Sequence, residues 1–523
     1  MARDLPLVLL FALLLRLLAY NGLFGSDDGV YFERAVDVAT GTWSSANYNG
    51  ALRYGYNLPA GVFVWLFGAT PFVANLWPLL CSLIEVAAVY VVATLMLDRR
   101  AGAFAALLLA TAPLHISVAT RVHADPVVSM FITVSFLLLW AGWTHRNKGL
   151  LFACGLSIGG IFWAKELVGI VWLAFLPMLW LFRGRWGEAL VVVSGTLVML
   201  LLHGLLMTWI AGHPLHLITT VLGQVKTNFV DGMQGEDAAA YYLSYLFFDL
   251  RHVGLVAVIA VLGVWWTVRN APRRPDFRLA WVYVLLWALG LLMVLSVLPV
   301  SLSPLRFVMK QSNYITLFLG ALAVLAGMGL ACMPRRLANG LAVVAAVLGI
   351  WLGFLQQADY RAFTAGSKAI GNWVATRPDV LVIGSTNNAT MGGLYASQVN
   401  PDGRRGRIVS FRELAQEPEK ISSAARAATA VYAAFDVQTK AWFAGGQIVK
   451  APLRCWGPAV EQLVPADLGI GNQVAATTAE AAVALARLGM PGMAGLGRML
   501  TALSSPTPVA LYRIDGQNIM CRE

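Results

Sequence analysis

The sequence predicts a polytopic α-helical membrane protein with about eleven transmembrane helices and a C-terminal extracytoplasmic α/β domain. Hydrophobic residues make up 58% of the 523 residues and charged residues only 12%, whereas a soluble domain is about a quarter charged. The apolar residues also gather in runs long enough to cross a bilayer. Composition therefore excludes an ordinary soluble chain, and the distribution of basic residues indicates the orientation of the spans.

The predicted spans follow one another closely over the first 357 residues. The first begins after Arg3 and lacks a small-residue cleavage site, which indicates a retained helix and not a signal peptide. The spans cover residues 5–24, 72–97, 102–118, 127–143, 150–163, 167–182, 189–211, 252–268, 279–299, 313–332 and 338–357. An odd number of spans places the two ends of the chain on opposite sides of the membrane.

Basic residues cluster in alternate short connections between these spans, and such clusters mark the cytoplasmic side. The clusters are Arg99-Arg100, Arg146 with Lys148, Arg183 with Arg185, Arg269 with Arg273, Arg274 and Arg278, and Arg335-Arg336. We therefore expect a multi-pass protein of the cell inner membrane with a cytoplasmic N-terminus. The same clusters contribute to the net charge of +11, and since no base-reading motif accompanies them we expect no nucleic acid partner.

Near residue 358 the long apolar runs end, and alanine-rich stretches alternate with short β-branched runs. Residues 1–357 form the predicted transmembrane domain, which has two long outer loops, 25–71 and 212–251. Within the first loop, residues 30–40 are expected to form an amphipathic interfacial helix. Residues 358–523 form the predicted periplasmic α/β domain, with strands at 380–384, 430–434 and 509–514 and helices at 368–376, 413–416 and 421–428. Cys455 and Cys521 suggest a disulfide there if the compartment is oxidising.

Charged side chains gather at the outer ends of the predicted helices. Charges beside a membrane are costly, so those that persist at one face are candidates for function. Cations stabilise a phosphate leaving group, and a carboxylate takes the proton of an attacking hydroxyl. The set comprises Asp27-Asp28, Arg53, Arg121, His123, Asp125, Lys165-Glu166, Arg306 and Lys310.

Several of these groups also have a structural explanation. The acidic residues suit helix N-termini, and Lys165 and Glu166 could pair with each other in a turn. Arg306 and Lys310 could extend to lipid headgroups. Arg16 and Glu85 lie inside spans, where we expect pairing between helices and no catalytic role.

Four short motifs occur in order over roughly residues 1–330. They are Ser26-Asp27-Asp28-Gly29-Val30-Tyr31, the segment from Pro113 through Arg121 to Asp125, Gly155–Gly160 leading to Ala164-Lys165, and Pro304-Leu305-Arg306-Phe307. Together they resemble the polytopic GT-C glycosyltransferases, specifically the group of protein O-mannosyltransferases, aminoarabinose transferases and rhizobial galacturonosyltransferases.

The resemblance implies an inverting transfer of a sugar from a polyprenyl-phosphate donor to an acceptor hydroxyl at the outer membrane face. It assigns Asp27 as catalytic base, Asp28 as its support and Asp125 as a residue that orients the acceptor or the donor sugar. It assigns the donor phosphate to Arg53, Lys165 and Arg306, with Tyr31, Arg121, His123 and Lys310 as secondary candidates. The chain departs from the family where a Lys-Pro-Pro-Leu segment is usual, because it reads Arg53-Tyr54-Gly55-Tyr56-Asn57-Leu58-Pro59.

The expected partners are the polyprenyl-phosphate sugar donor, membrane lipids, and a lipid, glycan or protein acceptor. No cofactor is expected to be required. A divalent cation between Asp27, Asp28 and His123 is compatible with the residues, but their spacing does not indicate one. The alternative functions are a transporter or flippase, a diphosphate-linked glycan polymerase or ligase, and a structural or binding role. A transporter is disfavoured because no inverted repeat is evident.

Overall fold

The computed structural model describes residues 4–25, 27–230, 239–270, 275–302, 305–308, 310–400, 406–436, 451–465 and 468–514. The chain forms two compact units. The first comprises Met1–Leu18 and Val30–Gly353, and the second comprises Ala19–Gly29 and Phe354–Glu523. Some residues named above lie outside the described ranges, namely Arg3, Ser26, Arg273, Arg274, Pro304 and Cys521.

The first unit is built from apolar helices. In chain order, the helices up to the end of this unit are Asp4–Leu18 (α1), Asp27–Ala39 (α2), Tyr54–Phe67 (α3), Pro71–Ala74 (α4), Leu76–Met96 (α5), Arg99–Ala110 (α6), Pro113–Ala119 (α7), Asp125–Thr144 (α8), Lys148–Ala164 (α9), Val168–Phe175 (α10), Trp186–Ala211 (α11), His216–Val230 (α12), Tyr241–Phe247 (α13), Leu250–Val253 (α14), Val256–Asn270 (α15), Pro275–Val297 (α16), Thr316–Cys332 (α17) and Arg335–Ala375 (α18). Short 3₁₀ segments cover Asn49–Leu52, Leu176–Phe182 and Ser312–Ile315. Strands Pro299–Leu302 (β1) and Leu305–Phe307 (β2) form an antiparallel hairpin.

Six helices of the described residues are long and apolar enough to cross a membrane, or seven if one bent pair is a single span. Three further apolar helices are shorter, Lys148–Ala164, Gly169–Met178 and Val256–Arg269. The prediction of a multi-helical membrane protein is therefore confirmed, while about eleven spans stays a prediction. Helix α2 covers most of the segment 30–40 where an amphipathic interfacial helix is expected, and its place at the membrane interface stays a prediction.

The span predicted at 102–118 is not one straight helix. Helices α6 and α7 meet at a bend of 63°, because Pro113 lacks the amide hydrogen that a continuous helix needs and disfavours a helical conformation at the residue before it. The span predicted at 167–182 likewise changes from α-helix to 3₁₀ helix at Leu176. The first loop predicted at 25–71 holds helices α2 and α3, so much of it is regular structure.

Helix α17 lies at the centre of the first unit. It packs against α5, α6, α8, α15 and α16. Glycines allow the close approach, since a Cβ on Gly327 would lie 2.6 Å from the carbonyl oxygen of Ala101, and one on Gly263 would lie 2.7 Å from the Cα of Gly329. Small residues at such crossings let helix backbones meet within a membrane.

The second unit contains a five-stranded mixed sheet. Its strands are Val380–Gly384 (β3), Arg407–Ser410 (β4), Ala430–Phe435 (β5), Glu461–Leu463 (β6) and Val509–Ile514 (β7), in the spatial order β4-β3-β5-β7-β6. Strands β4, β3 and β5 are parallel, and β7 and β6 are antiparallel additions. The remaining helices are Gly393–Val399 (α19), Phe411–Gln416 (α20), Pro418–Ala427 (α21), Ile470–Arg487 (α22) and Met493–Ser504 (α23).

Apolar side chains of successive residues of β3 point to opposite faces of the sheet, so both faces are covered. Leu381 and Ile383 belong to a core that includes residues of α20 and α21. Val382 belongs to a second core with Ile370 and Trp373 of α18. The strands predicted at 380–384, 430–434 and 509–514 are confirmed, whereas β4, β6 and the hairpin of α22 and α23 were not predicted. Cys455 is disulfide-bonded, and its suggested partner Cys521 lies outside the described residues.

Candidate active site

The first contact of the candidate site is an ion pair between two predicted residues of the first unit. The Lys165 ammonium lies 2.7 Å from Oδ1 of Asp125. Asp125 begins α8, and Lys165 follows the last residue of α9 in an extended conformation. Both side chains are at least nine-tenths buried, so the charges neutralise each other where water is scarce.

Further polar groups hold both partners of this pair. Nδ1 of His123 lies 3.4 Å from Oδ2 of Asp125, and the Asn313 amide donates a hydrogen bond to the same oxygen. The Lys165 ammonium lies 4.6 Å from the centroid of the Tyr314 ring, in the geometry of a cation–π contact. The 3₁₀ turn Ser312–Ile315 thus supplies a side chain to each member of the pair.

A second ion pair adjoins the first in sequence. Nη2 of Arg53 lies 3.2 Å from both carboxylate oxygens of Glu166, and Nη1 of Arg53 donates to the Tyr31 hydroxyl. The Tyr31 ring lies 4.9 Å from that of Tyr56 between centroids and 6.2 Å from that of His123. Lys165 and Glu166 therefore pair with other segments and not with each other, which corrects the structural explanation given for them above.

Backbone packing brings the two ion pairs together. Gly55, in the first turn of α3, lies against the end of α9, and a Cβ on it would lie 2.6 Å from the amide nitrogen of Ala164. The indole of Trp77 donates to the carbonyl oxygen of Gly55 at 3.1 Å. Arg53 precedes this contact by two residues and Lys165 follows it by one, so the contact fixes both cations in one region.

The glycine-rich motif before Lys165 has a packing role. Gly155 of α9 lies against the backbone of α11 at Gly195, and a Cβ on Gly160 would lie 2.8 Å from the ring of Phe131 in α8. The Ser157 hydroxyl donates to the carbonyl oxygen of Phe131 at 2.9 Å. Helix α9 is therefore held tightly between α8 and α11, and the position of Lys165 at its end is fixed by that packing.

Neighbouring charges keep Lys165 and Glu166, which lie between α9 and α10, in their charged forms. Burial lowers the pKa of Lys165, but the charge of Asp125, its hydrogen bond and the nearby Tyr314 together outweigh burial, and the net effect is a raised pKa. Burial raises the pKa of Glu166, but Arg53, a backbone hydrogen bond and the charge of Lys165 together outweigh burial, and the net effect is a lowered pKa. Both residues therefore carry full charge near neutral pH.

The acidic pair predicted as the catalytic base lies in the second unit. Asp27 and Asp28 begin α2, and Oδ2 of Asp28 accepts a hydrogen bond from the Phe24 amide at 3.0 Å. Asp28 is fully buried. The roles of Asp27 as base and of Asp28 as its support both stay predictions.

The remaining predicted residues lie on neighbouring segments of the first unit. Arg121 is buried between α7 and α8. Lys310 is also buried, with its ammonium 5.0 Å from the centroid of the Phe307 ring, so extension to lipid headgroups does not describe it. Arg306 lies on β2, opposite Ser301 of β1, and its phosphate-binding role stays a prediction.

A second buried cluster, here called the core cluster, comprises Arg16, Ser82, Glu85, His115, Ser129 and Thr133. The Glu85 carboxylate accepts hydrogen bonds from Ser129 at 2.7 Å and Thr133 at 3.0 Å and lies 3.1 Å from Nε2 of His115. Nδ1 of His115 lies 2.7 Å from the Arg16 guanidinium. The expectation of pairing between helices for Arg16 and Glu85 is confirmed, with His115 as the bridge.

The core cluster is linked to the candidate site through α17. The Ser129 hydroxyl, one turn beyond Asp125, lies 2.8 Å from the carbonyl oxygen of Thr316. The Thr316 hydroxyl in turn donates to the carbonyl oxygen of Asn313 at 2.7 Å. These bonds fix the turn that carries Asn313 to the beginning of α8.

Sequence reasoning missed Asn313 and Tyr314 as site residues. They follow Lys310 by three and four residues and precede the helix start at Thr316, and this position was the available signal. In the described part of the chain, no three His, Cys, Asp or Glu side chains meet as metal ligands.

Comparison with known proteins agrees with this architecture. Residues 57–209 match the family model described as dolichyl-phosphate-mannose-protein mannosyltransferase, a segment that includes Asp125 and Lys165. No curated protein matches the chain.

Solved structures share the fold over most of the chain. ArnT from Cupriavidus metallidurans, in the apo state, has a TM-score of 0.54 and 18% identity, with 88% of this chain and 95% of that chain covered. Its complex with undecaprenyl phosphate has a TM-score of 0.54 and 17% identity, with 88% and 96% covered. The oligosaccharyltransferase AglB from Archaeoglobus fulgidus, with an inhibitory peptide and a dolichol-phosphate, has a TM-score of 0.52 and 11% identity, with 97% and 88% covered. The chain therefore shares the fold of ArnT and AglB, and its segment 57–209 is similar to the mannosyltransferase family model.

Proposed function

We propose that the chain transfers a sugar, with inversion, from a polyprenyl-phosphate donor to an acceptor hydroxyl at the outer face of the cell inner membrane. The observation that carries the proposal is the pair of buried cations, Arg53 and Lys165, held in one region by the contact of Gly55 with α9. Each cation is neutralised by a carboxylate in the structure. A lipid phosphate of the same charge would compete for these contacts.

The chemistry is a single displacement. The acceptor oxygen attacks the anomeric carbon, its proton passes to the carboxylate of Asp27, and the bond between that carbon and the phosphate oxygen breaks. The leaving polyprenyl phosphate gains negative charge, which Lys165, Arg53 and Arg306 stabilise. These cations supply the positive charge that the step needs, so we write it without a cofactor or metal ion.

The polyprenyl donor is supported by the relatives, since ArnT binds undecaprenyl phosphate and AglB binds dolichol-phosphate. The proposed topology has about eleven spans, because the shorter apolar helices α1, α9, α10 and α15 would add to the long ones. The alternating basic clusters support a cytoplasmic N-terminus and a periplasmic α/β domain covering residues 358–523. The donor sugar would be a hexose or a pentose.

Two substitutions test the proposal. Asp27→Asn removes the proton acceptor, so we expect undecaprenyl phosphate binding to persist while sugar transfer falls by about 10²–10⁴. Lys165→Ala removes a phosphate ligand, so both binding and transfer should fall. Binding is measured by native mass spectrometry of the purified protein, and transfer by mass spectrometry of cell-surface glycans and lipids.

Lys148→Ala is the matched control, since Lys148 is exposed and begins the helix that ends beside Lys165. It should leave binding and transfer unchanged. If Asp27→Asn and Lys165→Ala both kept wild-type transfer, the proposed function would be rejected.

A further inference from the structure

Helices α22 and α23 of the second unit form an antiparallel hairpin. Ala475 and Ala479 of α22 and Leu500 of α23 form a small apolar core with Ala358 of α18. The turn between the helices contains Gly489 and Gly492, both at positive φ. The hairpin is thus a defined element that packs on one short stretch of α18.

Two hydrogen bonds and one close contact fix the position of the hairpin along α18. The amide of Gly471 donates to Oε1 of Gln357 at 2.7 Å, and the Asn472 side chain donates to the carbonyl oxygen of Ala358 at 3.3 Å. A Cβ on Gly471 would overlap the carbonyl oxygen of Phe354. The root of the hairpin therefore packs on Phe354–Ala358.

The same stretch of α18 is where its apolar run ends. Residues 337–355 hold no charged side chain, Arg335-Arg336 precede them, and Gln356-Gln357 follow. A helix rises 1.5 Å per residue, so about 20 residues from Arg335 span roughly 30 Å, the thickness of the hydrocarbon core. The root of the hairpin consequently lies at the boundary between hydrocarbon and headgroups.

The outer part of the hairpin exposes large apolar side chains. Leu488 is 79% exposed and Met490 51% at the turn, and Met499 is 50% exposed on α23. A groove between the helices is lined by Val483, Ala486, Arg487, Ala494, Gly497, Arg498 and Thr501. Glu480 is the one acidic residue of the hairpin sequence, so its outer part combines apolar surface with positive charge. This combination is typical of elements that bind the surface of an anionic membrane.

We propose that the hairpin of α22 and α23 lies on the membrane surface at which the apolar run of α18 ends. Leu488 and Met490 enter the boundary between headgroups and acyl chains, and Arg487 and Arg498 bind the phosphate of an anionic phospholipid. The hairpin is thus a second attachment of this unit to the bilayer, besides α18. This inference is independent of the proposed sugar transfer.

The first test measures depth in the bilayer. The full chain is studied in nanodiscs with a bimane label on Leu488→Cys. Serine replaces the free cysteines Cys81, Cys154 and Cys332, and the disulfide-bonded Cys455 is kept. We expect strong quenching by lipids with a nitroxide near the top of the acyl chain and several-fold weaker quenching by aqueous iodide than at the control site. The control is Val399→Cys, which is 55% exposed in the same unit.

Equal iodide quenching at both sites, without lipid quenching at Leu488, would place the turn in water and overturn the inference. Protection from iodide without lipid quenching would place it against protein and would overturn it equally.

The second test addresses the headgroup. Lipid quenching at Leu488→Cys should rise when phosphatidylglycerol is added to phosphatidylcholine nanodiscs, and R487Q/R498Q should abolish this rise. The matched control R412Q/R426Q removes the same amount of charge from α20 and α21, and the rise in quenching should persist in it. A rise that persists in R487Q/R498Q would refute the arginine contacts, and its reversal by inorganic phosphate would indicate a site for free phosphate.

Discussion

The core cluster and the site cluster (Arg53, His123, Asp125, Lys165, Glu166 and Asn313) are built from similar side chains and differ in their place on the helices. Glu85 lies in the middle of α5 and Arg16 in the last turn of α1, and both side chains are fully buried among neighbouring helices. Asp125 and Lys165 lie at the beginning of α8 and just beyond α9, where backbone segments change direction. Burial and ion pairing alone therefore do not separate a structural pair from a candidate catalytic one.

The largest effect is expected from a substitution that breaks the core cluster. Glu85→Leu leaves the charge of Arg16 buried without its counter-charge, so we expect a loss of about 3–5 kcal/mol in the free energy of unfolding. The double variant Arg16→Met with Glu85→Gln removes both charges and should recover most of that loss. The measurement is denaturant unfolding of the purified protein in detergent.

The control is Asp4→Asn, which breaks the exposed pair of Asp4 with Arg99 and should cost at most about 1 kcal/mol. A Glu85→Leu protein as stable as the Asp4→Asn protein would contradict the structural role assigned to the core cluster.

An intermediate effect is expected at Asn313, a site residue that the sequence did not indicate. Asn313→Ala removes a hydrogen bond to buried Asp125 and leaves the pair with Lys165 in place. The loss of one such bond to a charged group is about 1.5–3 kcal/mol, so we expect kcat/KM for sugar transfer to fall by at least about 10-fold with stable folding.

Asn313→Asp tests whether charge or shape matters at this position, because it places a second carboxylate beside Asp125. It should be more damaging than alanine, since like charges at one site disfavour each other. Equal activity of all three proteins would remove Asn313 from the site.

The smallest expected effect concerns pH. Because Arg53 lowers the pKa of Glu166 below its usual 4.5, the folded state favours the ionised carboxylate. This contribution to stability is complete above the pKa of the unfolded chain and is lost as pH falls through the lowered pKa. The melting temperature of wild type minus that of Glu166→Gln should be constant from about pH 6 to 8 and shrink below about pH 4.5. A difference that grew on acidification would reverse the sign assigned to this ion pair.

Helices and strands were predictable where a single local rule decided them. Uninterrupted apolar runs gave α5, α8 and α11, and β-branched runs gave β3. The bend at Pro113 could have been predicted, because proline and the residue before it mark a helix boundary. The hairpin of α22 and α23 was missed because its alanines and threonines give a weak apolar pattern.

The site was predictable in part. Helix ends indicated Asp125 and Lys165, and topology indicated that they face one side. Their partners depend on packing between segments far apart in sequence, so Asn313 beside Asp125 and Glu166 beside Arg53 required the fold. The glycines of α9 could be recognised as a motif, but their contact with α11 could not be inferred from one sequence.

The contact of Gly55 with Ala164 has a consequence for how a donor enters. With no side chain between them, α3 and the end of α9 cannot slide or separate easily, so the spacing of Arg53 and Lys165 stays nearly constant. An arriving phosphate then gains its ligands by exchange, in which Glu166 or Asp125 releases a cation. Affinity for the lipid donor would depend on how strongly Glu166 and Asp125 hold the two cations, and a weaker internal ion pair would give tighter donor binding.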